Sequence, residues 1–544
     1  VTTTERKQDP PTRPAPEANS IVGWVTSTDH KRIALLTLAT ALVMMLIAGG
    51  FAMMIRAQLA RPQQDLLDPG RYNEFFTMHG SIMIYLVMTP FAIGIGLYLV
   101  PLQIGAPNVA APRVTMGAYW LYLTGGLAML SGFFTNAGAA NQGWYSSMPL
   151  ATSSYDPGSG IELWIVGVSM AALGEMIMAG SVLWTVLLHR APGMTMLRIP
   201  VFSWSTVVSN LMVIGAFPFL LVSTTIIAIG RVRPDLFTHN AWNVAYQNMF
   251  WFFGHPVVYV MFFPYVGAIA EALATFSGRR FFGYKAFVLS QLLFAALSMS
   301  VWGHHLLASG QASNYYYSLT SIMLVIPAGI EYFDMLGTIL GGRLRFTSSM
   351  LFALAFIPQF LIGGLTGIMI GTPTLDYQMN GSYFIVAHWH YTLAAGSLFG
   401  LFAGVYFWFP KATGRMLREG LGKLHFVLWF VGTNVTFLPM FWLGLHGMPR
   451  RIQSYAPTDG FTLDNALASA GSGLLAIGGV VFIINVWASA RRPRPAGPDP
   501  WGGHTLEWAT SSPPPRFNFT ARYPLPPVHS YAPLLDVREE AAKR

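Results

Sequence analysis

The sequence predicts an all-α, polytopic membrane protein of about twelve transmembrane helices, and three observations carry that reading. The chain is 53% hydrophobic and only 10% charged, where a soluble domain carries about 25% charged residues. Its mean hydropathy is +0.47, and its apolar stretches exceed the ~20 residues that cross a bilayer. Its Lys and Arg residues concentrate in alternate connecting segments, the pattern that sets membrane orientation. The net charge of +9 therefore speaks for a lipid bilayer and not for nucleic acid. With no cysteine in the chain, thiolate sites, iron–sulfur clusters and disulfides are excluded, and any metal must be held by N or O ligands.

Residues 1–23 read as a disordered cytoplasmic tail, polar and Pro-rich, with no apolar core of a signal peptide. A domain over residues 24–490 follows. Its spans are expected at about 33–55, 75–100, 114–134, 161–188, 204–229, 247–272, 287–309, 317–340, 349–370, 384–408, 424–445 and 471–490. Residues 491–544 form a Pro-rich, basic cytoplasmic tail. With both termini inside, roughly 17 Lys/Arg fall on the inner side and about 7 outside.

Six histidines, His79, His255, His304, His305, His388 and His390, lie in these apolar segments. A buried imidazole in lipid is costly unless its nitrogens are satisfied, and metals satisfy them. By position all six lie about 6–12 Å below the outer edge, delivered by four helices. Histidines 388 and 390, about 200° apart on a helix, serve two centres. His79 with one of that pair suits a two-His haem, and the other suits a haem with an open face. His255, His304 and His305 suit a three-His copper-type site, provided that backbone adjustment or rotamer choice brings the adjacent 304 and 305 side chains together. His255 and Tyr259 are four apart and share a helix face.

These segments resemble subunit I of the haem–copper oxygen reductases. The resemblance covers about residues 20–530. It rests on Ser27-Thr-Asp-His-Lys31, Ile55-Arg-Ala57, Pro101-Leu-Gln-Ile-Gly-Ala106, Gly254-His-Pro256 and Gly363-Gly-Leu-Thr-Gly367, and on His388-Trp-His390, Gly447-Met-Pro-Arg-Arg451 and Thr505-Leu-Glu-Trp-Ala-Thr-Ser-Ser-Pro-Pro-Pro515. It implies the twelve-helix arrangement of that subunit and the reduction of O2 to water. His79 and His390 would hold a low-spin haem, His388 a high-spin haem, and His255, His304 and His305 a copper. Tyr259 would be joined covalently to His255. Arg450 and Arg451 would pair with haem propionates, Arg56 would bond a haem formyl group (haem A, with haem B or O as alternatives), and Trp144 and Trp251 would lie near the haems. The implied partners are a subunit II carrying the electron-entry site, a subunit III, further small subunits, and cytochrome c as electron donor. The implied place is a bacterial inner membrane. Arg71 and Glu74 stand where quinol-oxidising relatives carry other residues, which favours cytochrome c over quinol. A nitric oxide reductase relative and a haem-free transporter are the remaining alternatives.

The chain departs from the family at its proton routes. Val257, Asn108, Leu97, Thr115 and Met116 occupy positions usually polar or acidic on one route. Ala328 and Glu331 replace a Thr and a Lys on the other. Asn380-Gly381 replaces a His-Asp pair, so no magnesium site is expected there. Carboxylates lie elsewhere in the spans instead: Glu175, Glu271, Glu331 and Asp334. Such groups default to proton relays. Protons for the chemistry are expected to enter through Asp334 and Glu331 to Tyr259, with Glu175 as a substitute branch, and pumping is expected to be weak or absent.

Overall fold

A computed structural model of the chain describes residues 20–237 and 240–544; the expected N-terminal tail up to residue 19 lies outside them. Eleven helices among the described residues are long and apolar enough to cross a membrane. In chain order, with one more helix between the second and third of them, we label the helices α1 (His30–Gln58), α2 (Pro69–Gln103), α3 (Pro112–Ser131), α4 (Gly160–Leu188), α5 (Val201–Val232), α6 (Ala241–Ser277), α7 (Tyr284–Leu306), α8 (Asn314–Ile339), α9 (Ser348–Ile370), α10 (Tyr383–Thr413), α11 (Glu419–Leu445) and α12 (Thr462–Arg491). Helix α3 is the exception. Its 20 residues give the ~30 Å of a span, but Tyr119, Trp120, Tyr122 and paired glycines dilute its aliphatic content. It packs along α4, where Gly125 and Gly167 let the two backbones approach.

Asp29 caps α1 by accepting from Lys31 N, and Asp68 caps α2 by accepting from Arg71 N. Lipid-facing positions carry large apolar residues such as Leu46, Trp184, Leu289, Phe333 and Ile483, as a span requires when lipid replaces water.

Two expected continuous helices are interrupted, and the interruptions make the site. Helix α6 is broken after Gly254 and again after Val260, into stretches ending and restarting at Pro256 and Phe263. Pro256 and Pro264 each lack a backbone donor. Helix α7 is α-helical only to Ser298; after three residues it resumes as a 3-10 turn, Trp302–Leu306. The 3-10 turn is the backbone adjustment that adjacent His304 and His305 need in order to meet one ion. His255 and Tyr259 lie close, but on a broken stretch and not on one regular helix face. Two π-helical turns, Met83–Met88 in α2 and Leu393–Ser397 in α10, directly follow the segments that carry His79 and the 388/390 pair. Such turns recur at functional sites.

The C-terminal segment lies on the side of the bundle where α1 begins. It is bound by the basic segments there: Lys31 to Arg516 O, Arg280 to Asp536 and Glu539, Arg345 to Trp501 O, and Lys411 to Pro498, Thr510 and Ser511 carbonyls. We call this the tail side.

Candidate metal and redox site

The 3-10 turn of α7 brings His304 and His305 beside His255, which stands at the α6 break. One nitrogen of each lies within 4.8 Å of the others. His255 Nδ1 and His305 Nε2 are 3.2 Å apart. Ser321 of α8 donates its hydroxyl to Tyr317 O and accepts from His304 Nδ1 at 2.7 Å. That bond fixes the tautomer and leaves His304 Nε2 as a ligand atom. Trp251 stacks on His305, centroids 4.0 Å apart and planes 12° apart. His255 Nε2 is buried without a partner, and the Tyr259 ring lies 4.8 Å from the His255 ring.

His388 opens on the same cavity, of about 550 Å³, which also meets Tyr259, Trp389 and Arg450. Its Nδ1 donates to Gly363 O at 3.1 Å, with Thr366 Oγ1 also at 3.1 Å, so Nε2 is free toward the cavity. Gly367 is required by this approach: a Cβ there would come within 3.1 Å of His388 Cε1.

His390 points the other way and faces His79. His390 Nδ1 donates to Val386 O at 2.7 Å, and His79 Nδ1 donates to Ala48 O at 2.9 Å. The two rings are parallel within 7°, with centroids 6.3 Å apart. That separation equals two metal–nitrogen bonds of about 2 Å plus about 1.1 Å from each ring nitrogen to its centroid. Phe437 backs His390 at 4.3 Å.

Around these groups, Arg56 Nη2 donates to Asn465 O, Asn465 Oδ1 and Ser469 Oγ, while its Nε and Nη1 are buried without partners. Arg450 lies over Trp389, and Arg451 over Phe76 and Tyr145. Neither arginine has a carboxylate within ion-pair distance among the described residues. Arg451 adopts a positive φ of 70°, a conformation a non-glycine residue holds only where its surroundings demand it. Trp144 is buried among Tyr145, Phe250, Trp251 and Trp389. Glu331 and Asp334 are both buried on α8, each with a carboxyl oxygen lacking a partner, as is Glu175 on α4. Asn380 donates to Asp376 at 3.3 Å. Asp376 faces Arg450, and burial raises its carboxyl to about 6.

Sequence reasoning missed Thr366, Ser321 and Phe437. Thr366 stood inside a quoted motif; the other two carry no local signal.

Lipid-spanning helices that hold parallel imidazoles across a metal-wide gap, and three more around one point, define a membrane metalloprotein of the redox class. A family model described as "Cytochrome C and Quinol oxidase polypeptide I" matches residues 32–474. The "Probable cytochrome c oxidase subunit 1-beta" of Nocardia farcinica is 43% identical, over 97% of this chain and 90% of that one. The cytochrome c oxidase subunit 1 of Corynebacterium efficiens is 42% identical, over 97% and 92%. A cryo-EM structure of a haem–copper terminal oxidase dimer shares the fold, with TM-score 0.72 and 20% identity over 86% of this chain and 84% of that one. The chain belongs to the haem–copper oxidase subunit I (cytochrome c oxidase subunit 1) family. The family implies haems and a copper, a complex with other oxidase subunits, and a multi-pass place in a bacterial membrane.

Proposed function

We propose that this chain carries electrons from cytochrome c through a low-spin haem to a haem–copper centre that reduces O2 to water. The observation that carries the reading is one cavity shared by His255, His304, His305, His388 and Tyr259. When bound, the haems and the copper would supply the electrons and the place where O2 is reduced. The chain's own residues do the rest. His79 and His390 would hold the low-spin haem, His388 the second haem, and the three-His cluster the copper. The orphaned His255 Nε2 beside the Tyr259 ring suits a covalent His–Tyr link, with Tyr259 Oη giving its proton within the cavity. Arg450 and Arg451, neither in an ion pair with a carboxylate among the described residues, suit the two haems' propionates. Trp144 and Trp251 would lie near the haems. The unpaired Nε and Nη1 of Arg56 suit a formyl oxygen and hence haem A.

Protons reach Tyr259 through Asp334 and Glu331. The cavity that holds Tyr259 extends to Ala328, Gly329 and Tyr332, the turn around Glu331. Pumping is weakened because Asn108 is spent on structure: it donates to Thr28 O at 2.8 Å and accepts from His30 N. Glu175 is a further proton-holding branch. The tail side, with its basic segments, is the cytoplasmic side.

The purified complex is expected to consume O2 with reduced cytochrome c, to carry two haems and one copper, and to yield a peptide around residues 255–259 that lacks two hydrogens. Absence of copper, or iron in its place, would sink this reading.

A further inference from the structure

Helix α5 carries Ser203, Thr206 and Asn210, spaced by three and four so that they share one face, and all three are buried. The file they form begins at the tail side. Ser203 Oγ donates to Gln103 Oε1 at 2.7 Å. Gln103 Nε2 donates to Glu507 Oε1 at 3.1 Å, and Trp408 Nε1 donates to the same oxygen at 3.0 Å. Glu507 Oε2 is left buried with no partner. No Lys or Arg pairs with Glu507 among the described residues; the nearby Lys411 is spent on backbone carbonyls. Burial pushes the Glu507 carboxyl above its usual range.

The other end of the file is also unsatisfied. Asn210 Nδ2 is buried without a partner. Its level is fixed by Ser209, whose hydroxyl donates at 2.9 Å to Val260 O, next to Tyr259. Thr206 is held between the two ends by α2, where a Cβ on Gly96 would come within 2.7 Å of Thr206 Cγ2. A buried polar atom left unpaired is costly, and lipid offers it no partner. Internal water is the group that pairs such atoms. Carboxyl, water and hydroxyls in file conduct protons.

We propose that Glu507, Gln103, Ser203, Thr206 and Asn210 form a second, water-completed proton file from the tail side to the segment beneath Tyr259, separate from the Asp334–Glu331 route. It rests on the oxidase reading above for the use of those protons. In each transfer the Glu507 O–H bond breaks as a water O–H bond forms, and the carboxylate regains a proton from the tail side. Nothing is oxidised or reduced in the file.

The test uses the purified oxidase complex in vesicles, with proton uptake from the tail side followed during reoxidation of the reduced enzyme. Glu507→Gln keeps the acceptor for Gln103 and Trp408 and removes only the titrating proton. Thr206→Val keeps shape and removes one hydroxyl. Proton uptake is expected to slow by about tenfold in Glu507→Gln and about threefold in Thr206→Val, with electron arrival at the low-spin haem within about twofold of the native rate. The pH profile of the uptake step is expected to lose the contribution of Glu507 in Glu507→Gln, while Glu271, which interacts with Glu507, and the Asp334–Glu331 pair still titrate. Native uptake kinetics and an unchanged pH profile in both assembled variants would overturn the proposal and leave Glu507 as an anchor of the tail. If Glu507→Gln does not assemble, as its haem spectrum would report, Thr206→Val decides alone. O2 consumption by the native enzyme tests the oxidase reading separately, so the two failures cannot be confused.

Discussion

Single residues set the chemistry through the atoms they leave unpaired. His388 and His304 each spend Nδ1 on a partner from a neighbouring helix, which commits Nε2 to the cavity. His255 does the reverse: Nδ1 turns into the cluster and Nε2 is orphaned. Glu331 follows the same logic, because its Oε1 is buried and free where a structural carboxylate would be bonded. Glu331→Ala is expected to slow O2 turnover by about tenfold or more while leaving both haem spectra intact. Near-native turnover in that variant would remove Glu331 from the route.

At the scale of elements, the breaks in α6 and α7 do the positioning. Pro264 has no N–H, so Val260 O loses the helical donor it would have had, and the Ser209 hydroxyl replaces it. Ser209→Ala is therefore expected to cost about 1–3 kcal/mol. Adding Pro264→Ala restores the amide, so the pair is expected to be less destabilised than the sum of the two single variants, read by thermal unfolding of the purified complex. The tail is a second element with its own pH response. Burial, with Arg538, Arg280 and Arg345 nearby and Glu539 opposing, lowers His504 from 6.5 to about 4. The docked tail thus refuses a proton that the released tail accepts. Docking is at full strength above about pH 6.5 and weakens as pH falls toward 4. Trypsin release of the tail is expected to quicken between pH 7 and 5 in the native protein and to stay flat in His504→Gln. The same pH slope in both would refute the assignment.

Across the whole molecule, charge and routes decide the energetics. The basic segments gather on the tail side, while the six histidines sit deeper in the bundle. Asn108 is held in the cap of α1 and Val257 is apolar, so neither offers a titrating carboxyl. In vesicles the oxidase is expected to consume protons on the tail side and to release few or none on the other, followed with a weakly buffered pH dye. Strong acidification opposite the tail would mean that the branch at Glu175, or the α5 file, sustains pumping.

Much of this was legible in the chain. Composition alone gives the membrane class, because so few charges cannot solvate a protein of this size. The six imidazoles in apolar segments announce metals, because lipid tolerates an unpaired ring nitrogen poorly. The two-residue spacing of His388 and His390 already implies two centres, because helix geometry is local. What the tertiary structure alone decided is where helices stop and what meets across long separations. Local periodicity gives a span over 287–309 but not where its helix type changes; the fold ends the α-helix at Ser298 so that His304 and His305 can turn to His255. Which histidine faces His79, and that Glu507 lies beside Gln103 404 residues away, depend on helix packing. No pattern of three or four residues encodes a contact whose partners are chosen by close packing of the whole bundle.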